Sequence, residues 1–116
     1  MNIHNQVNYL EIPAKDIVAT KAFFTQVFDW EFMDFGDEYC SFTGQTVNGG
    51  FYLSDTQVSV EKGSPLIVLY SDDLEQTQAD IEQAGGTIVQ PEFSFPGGRR
   101  FHFADPNGNE FAVWAV

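Results

Sequence analysis

The sequence predicts an α+β protein built from two βαβββ modules. Three observations carry this. Strand-like alternation and helix-like spacing follow one another in the same order twice. Each helical stretch opens behind an aspartate, Asp16 or Asp73. The apolar register of the first half recurs in the second at an offset of 57 residues, the signature of an internal repeat.

Each element has its own warrant. Gln6–Pro13 alternates, with Val7, Tyr9 and Glu11 on one face and Asn8, Leu10 and Ile12 on the other, as a half-buried strand does. Asp16 is a fair N-cap, and Ile17, Thr20, Phe24, Val27 and Phe28 recur at helical spacing. Trp30–Phe35 alternates again and stops at Gly36. Tyr39–Phe42 and Gly50–Leu53 read as two short strands around the turn-rich stretch 43–49. Residues 54–65 carry little apolar periodicity, and 56–64 read as a linker. The order then restarts with Leu66–Tyr70, a buried strand. A helix follows from Leu74 to about Ala84, capped by Asp73 and stopped by Gly85 and Gly86. Thr87–Gln90 and Arg99–Ala104 are strands, and Asp105-Pro106-Asn107-Gly108 is a turn because Pro presets one dihedral and Asn and Gly tolerate the rest. Asn109–Val116 closes the chain.

Sliding by the repeat offset pairs Leu10 with Ile67, Ile12 with Leu69, Ile17 with Leu74, Ala22 with Ala79, Phe24 with Ile81 and Phe32 with Val89. Neither half could readily bury its sheet face alone. The expected organisation is one domain over 1–116, with module 1 at about 5–55 and module 2 at about 65–116.

Composition narrows the function classes. Apolar residues are 43% and aromatic residues 16%, too many for a disordered chain. Seventeen acidic against five basic residues give a net charge of −12, which argues against nucleic acid or an anionic membrane as partner. A lone cysteine, Cys40, leaves no disulfide framework or cysteine-rich zinc site. The stretch 1–8 lacks a basic segment followed by an apolar run, so no secretory leader is expected and the chain reads as cytoplasmic.

Several motifs, in this order, carry a family likeness. They are Leu10-Glu11-Ile12-Pro13 ahead of Asp16, then Ala22-Phe23-Phe24 and Val27-Phe28-Asp29-Trp30. Ser71-Asp72-Asp73-Leu74, Ala84-Gly85-Gly86, and Asp105-Pro106-Asn107-Gly108-Asn109 leading into Phe111-Ala112-Val113-Trp114 complete the set. Together they resemble the vicinal oxygen chelate superfamily of glyoxalases, bleomycin-resistance proteins, fosfomycin-resistance enzymes and extradiol dioxygenases. The resemblance covers nearly the whole chain. It implies curled mixed sheets forming an open U-shaped cavity, usually completed by a partner subunit, so a homodimer is expected. It also implies four cavity-lining positions that hold a divalent ion in metal-dependent members. They fall on Tyr9, Leu66, Ala112 and Gly49 or Gly50. Only the phenol of Tyr9 could bind a metal among them, so the inherited metal is expected to be absent and no cofactor is expected.

The remaining chemistry-bearing residues each have a plain and a functional reading. In the strand 99–104, Arg100, His102 and Ala104 share the face opposite Phe101 and Phe103. His102 is then either a partly exposed polar-face histidine or a ligand contact and general base. In the fosfomycin-resistance relatives the position three before the Asp-Pro turn contacts ligand, and here that position is His102. Glu11, on the face of Tyr9, is either a structural pair for Arg100 or His102 or an acid–base group. Arg99 and Arg100 either bind a ligand anion or pair with surface carboxylates. Glu110 reads as a solvated strand-end carboxylate, His4 as a terminal surface side chain and Cys40 as a small buried hydrophobe. The predicted ligand-binding set is Tyr9, Val68, Tyr70, Arg100, His102 and Trp114, with Glu11 and His102 as candidate catalytic residues. An aromatic lining suits a small apolar or aromatic ligand, as in the bleomycin-binding relatives. The alternative is an enzyme of the superfamily, a lyase, isomerase or dioxygenase, using a shifted metal site or acid–base chemistry.

Overall fold

The computed structural model describes residues 2–116. Its element order is β1 (Tyr9–Ala14), α1 (Ile17–Phe28), β2 (Glu31–Asp34), β3 (Tyr39–Thr43), β4 (Asn48–Leu53), β5 (Ile67–Tyr70), α2 (Leu74–Gln83), β6 (Thr87–Phe95), β7 (Gly98–Ala104) and β8 (Glu110–Ala115). This is the predicted α+β order, βαβββ twice. The chain divides after Thr56 into two compact units, each holding one mixed four-stranded sheet. The strand orders are β1-β4-β3-β2 and β5-β8-β7-β6.

Both helices start as their sequences dictate. Asp16 accepts the Ala19 N–H at 3.0 Å and Asp73 the Gln76 N–H at 3.2 Å, each relieving one of the orphan donors of a first turn. The end of α1 has no glycine. Asp29 takes the left-handed conformation instead, at φ 59°, one of the few side chains that does so readily. The end of α2 uses Gly85 at φ 95°, and the Gly86 N–H returns to the Ile81 carbonyl at 2.8 Å.

Two strands differ from their sequence reading. β1 begins at Tyr9 rather than Gln6, because its parallel pairing with β4 starts at Tyr9 opposite Asn48. β6 runs past Gln90 to Phe95 although Pro91 interrupts it. β6 is an edge strand, and its register slips between Ile88 and Gln90 and again between Gln90 and Phe93. Bulges at an edge absorb the missing proline N–H.

The first unit is cored by aromatic rings. Phe24 of α1 stacks on Trp30 at 4.7 Å between centroids and lies 5.4 Å from Phe51 of β4, while Trp30 stacks on Phe42 at 4.4 Å. The second unit buries Leu74, Ile81, Phe101, Phe103, Phe111 and Val113. Residues 57–64 form no helix or strand and are fastened to the second unit. The Gln57 amide donates to the Asn107 carbonyl at 2.8 Å. The Val58 N–H donates to Asn109 at 3.0 Å, and the Glu110 N–H donates to the Val58 carbonyl at 2.9 Å. Among the described residues no helix is long and apolar enough to cross a membrane.

Candidate functional site

The pleat of β7 separates two chemistries. Phe101 and Phe103 are fully buried. Arg100 and His102 fall on the other face, two residues apart. Register then gathers five of the six residues predicted to bind ligand. Tyr70 and Arg100 both pair with Trp114, and Val68 and His102 both pair with Ala112. Val68, Tyr70, Arg100, His102 and Trp114 therefore share one face of the second unit's sheet, with the Tyr70 ring edge-on to Trp114 at 5.1 Å. A recess of about 240 Å³ opens there, lined by Val68, Phe95, Gly97, Arg100 and Trp114.

The two arginines part company. Arg99 is held at the surface by Glu75 at 2.6 Å and Glu92 at 3.2 Å. Hydrogen bonding to Arg99 holds the Glu75 carboxyl below its ordinary value. Arg100 instead lies against rings, its guanidinium carbon 5.2 Å from the Phe93 centroid and 5.5 Å from that of Phe95. This is cation–π geometry. Its buried Nε has no hydrogen-bond partner among the described residues.

His102 is not a partly exposed histidine: it is 7% exposed. Its Nδ1 lies 2.7 Å from Glu110 Oε2, and Glu110 Oε1 accepts the Val60 N–H at 3.0 Å. Glu110 is thus not solvated, as its place at a strand end suggested; its side chain is 12% exposed. Burial pushes its carboxyl up, but the hydrogen bonds from His102 and from the Val60 N–H prevail and hold it below the usual carboxylate range. The sequence hides this pair because the two residues are brought together across β7 and β8, where Ala104 pairs with Glu110.

Glu11 and Tyr9 lie in the first unit. Glu11 is partnered within its own unit by Tyr39, whose hydroxyl donates to it at 2.6 Å. Tyr9 shares a short hydroxyl contact with the same Tyr39. Burial, then the hydrogen bonds to Glu11 and Tyr9, push the Tyr39 phenol well up. Tyr39 is the residue that sequence reasoning missed. The sequence carries no signal for it, since the Tyr39 hydroxyl meets the side-chain space of Gly50 only through the pairing of β3 with β4. A larger recess, about 700 Å³, is lined in part by Tyr9, Phe35, Tyr39, Ser41 and Phe42.

The four inherited metal positions do not fit a divalent ion. Gly50 has its side-chain space taken by the Tyr39 ring, and Ala112, fully buried, offers only a methyl. Leu66 offers no donor, and the Tyr9 phenol is engaged with Tyr39. Among the described residues no three His, Cys, Asp or Glu side chains gather as a metal-holding group. Cys40 is a buried thiol, raised chiefly by burial, and His4 is exposed. The Asp105 turn forms as read. The Asp105 carboxylate, 5% exposed, accepts the Asn107 and Asn109 N–H groups, both at 2.9 Å.

Known proteins place this geometry. Residues 6–113 match the family model of the Glyoxalase/Bleomycin resistance protein/Dioxygenase superfamily. No curated protein matches the chain. Among solved structures, the fosfomycin resistance protein FosX of Listeria monocytogenes superposes with a TM-score of 0.80 at 17% identity, over 98% of this chain and 95% of that one. A glyoxalase-related enzyme from Fulvimarina pelagi gives 0.79 at 16% identity, over 97% and 88%. A lactoylglutathione lyase from Agrobacterium tumefaciens gives 0.74 at 15%, over 96% and 93%. At these identities the structures speak for the fold, and with the family model spanning both βαβββ modules, the chain belongs to the Glyoxalase/Bleomycin resistance protein/Dioxygenase superfamily.

Proposed function

We propose that this chain binds a small organic anion with an aromatic or apolar body, in the recess of its second unit and without a divalent ion. The observation that carries this is Arg100. In a chain of net charge −12, its guanidinium has two aromatic neighbours and, among the described residues, no carboxylate partner, and it lines a recess whose other walls are Val68, Phe95, Gly97 and Trp114. A cation so placed supplies directed N–H donors to a carboxylate or phosphonate. The apolar walls take the body of the ligand. A volume of about 240 Å³ suits a single ring rather than a drug-sized molecule. The larger recess is the weaker candidate for an anion, because no arginine or lysine is among its described lining residues and its two phenols, Tyr9 and Tyr39, are tied to one another.

Calorimetric titration with benzoate tests the reading. Binding is expected, weakened roughly 10- to 100-fold by Arg100→Met, which keeps the apolar stem and removes a charged hydrogen-bonding group. No binding of benzoate to the native protein, or equal binding to the variant, refutes it. Stoichiometric manganese, iron, nickel or zinc in protein purified without chelator refutes the metal-free part. The reading also takes the chain as a homodimer, which sedimentation equilibrium decides.

A further inference from the structure

We propose that the larger recess, in the first unit, is a separate binding site, and that it takes a neutral, hydroxyl-rich saturated ring, a sugar without an ionised group. Its described lining residues all belong to the first unit, so it shares none with the recess of Arg100. A sugar site here does not depend on anion binding in the second unit.

The wall selects this class. Its volume of about 700 Å³ falls in the range of small-molecule sites. No Asp, Glu, Lys, Arg or His is among its described lining residues, so nothing there offsets the desolvation of an ion. The polar groups are hydroxyls and amides instead, Ser41, Thr43 and Asn48 among them. Bond accounting then fixes what the ligand must bring. The Tyr39 hydroxyl spends its one hydrogen on Glu11 Oε1. Towards Tyr9 it can therefore only accept, and the Tyr9 hydroxyl is the donor. The Tyr9 oxygen keeps acceptor capacity alone. Asn48 is left the other way round. Its Oδ1 accepts the Gln45 N–H at 3.2 Å, and its Nδ2 keeps its donors without a partner among the described residues. A hydroxyl donates and accepts, so it answers both, whereas an ether or carbonyl leaves the Tyr9 oxygen unanswered. The apolar side of the recess is Phe35 and Tyr39, with ring centroids 6.2 Å apart and planes at 55°. Walls at that angle do not clamp a flat ring between them. They cover the C–H face of a thicker, saturated one, and Phe35, 59% exposed, loses apolar surface to water contact by being covered.

Methyl glycosides of glucose, galactose and mannose, titrated into isotope-labelled protein and followed by amide NMR, test it. At least one should shift the amides of residues 41–48 saturably in the millimolar range. Its per-O-methyl ether, which cannot donate, should bind about 10-fold more weakly or worse. Tyr9→Phe should lower the affinity for the glycoside about 3- to 10-fold and leave that for the ether unchanged, a difference that a merely structural role of Tyr9 would not produce. Phe35→Ala, at an exposed site, should weaken the glycoside by about 3- to 10-fold. No saturable shift with any of the three glycosides, an ether that binds as well as its parent, or adenosine binding more tightly than every glycoside overturns the proposal. Benzoate should leave the bound glycoside in place, and displacement would put both in one site and overturn the assignment to a separate recess. If the glycoside binds and benzoate does not, the anion reading alone has failed.

Discussion

Replacing Gly50 by alanine tests whether the side-chain space at this position of the first unit is filled by a neighbouring phenol. The backbone at Gly50 is not in the left-handed region. There alanine would ordinarily stabilise by about 0.4–1 kcal/mol through the unfolded chain. The contacts predict the opposite sign. The new Cβ would stand 2.1 Å from the Tyr39 hydroxyl, 2.4 Å from Tyr39 Cζ and 2.9 Å from the Cys40 carbonyl. The ring must swing away, giving up its bond to Glu11 and its contact with Tyr9. Losing a charge-assisted bond at this partly exposed site costs about 1 kcal/mol, and displacing a packed ring another 1–3 kcal/mol. Net destabilisation of about 2 kcal/mol is expected, roughly 8 °C in Tm for a chain of this size. Urea unfolding at constant m-value is the assay. On a Tyr39→Ala background the same substitution should be neutral to within about 0.5 kcal/mol, so the double-mutant coupling should approach 2 kcal/mol. An equal cost in both backgrounds would show that the Cys40 carbonyl, not the phenol, closes the position, and would refute the reasoning.

Asp105 gives a pH test. Burial raises its carboxyl above the ordinary 3.8, against the pull of the Asn109 and Asn107 donors. A raised folded value means the native state binds the proton more tightly. Its stabilising contribution is therefore full below the unfolded value and lost as pH rises through the folded one. The stability of native protein minus that of Asp105→Asn should fall as pH rises above the ordinary carboxylate value, read by urea unfolding, and a constant difference refutes the assignment. Asp73→Ala removes the cap on the Gln76 N–H and should cost about 1 kcal/mol, with amide exchange in the first turn of α2 accelerating before that elsewhere.

How much was legible depended on the range of the interactions. Element order, both caps and the buried faces were readable because they rest on period and on local hydrogen bonds. Asp16 and Asp73 bond three residues ahead, and Phe101 and Phe103 alternate with Arg100 and His102. The extension of β6 through Pro91 was not readable, since tolerance of proline depends on the strand being at an edge. The partners of Glu11, His102 and Glu110 were not readable either. They are settled by register between strands, which a single sequence leaves open.

Register also explains why two copies of one module ended with different sites. In the first unit Ile12 pairs with Phe51, and in the second Leu69, its repeat counterpart, pairs with Val113. Gly50 and Ala112 are then equivalent positions. So are their neighbours Ser41 and His102, and Tyr39 and Arg100, which face Tyr52 and Trp114. In both units the last-strand position where the family resemblance implies a metal ligand holds a small residue, Gly50 or Ala112, and in both a long side chain stands on the next strand, Tyr39 or Arg100. In the first unit that side chain is a phenol, which crosses to Gly50 and closes on Glu11. The counterpart of Glu11 in the second unit is Val68, which cannot accept a hydrogen bond. Arg100 therefore has no internal carboxylate to close on and turns to Phe93 and Phe95. One exchange, glutamate for valine on the first strand of the module, separates a position satisfied from within from one that the proposed function leaves for an outside anion. Val68→Glu should accordingly supply Arg100 with an internal partner and abolish benzoate binding while the protein stays folded by circular dichroism. Undiminished binding by that variant would mean that the anion is not held at Arg100.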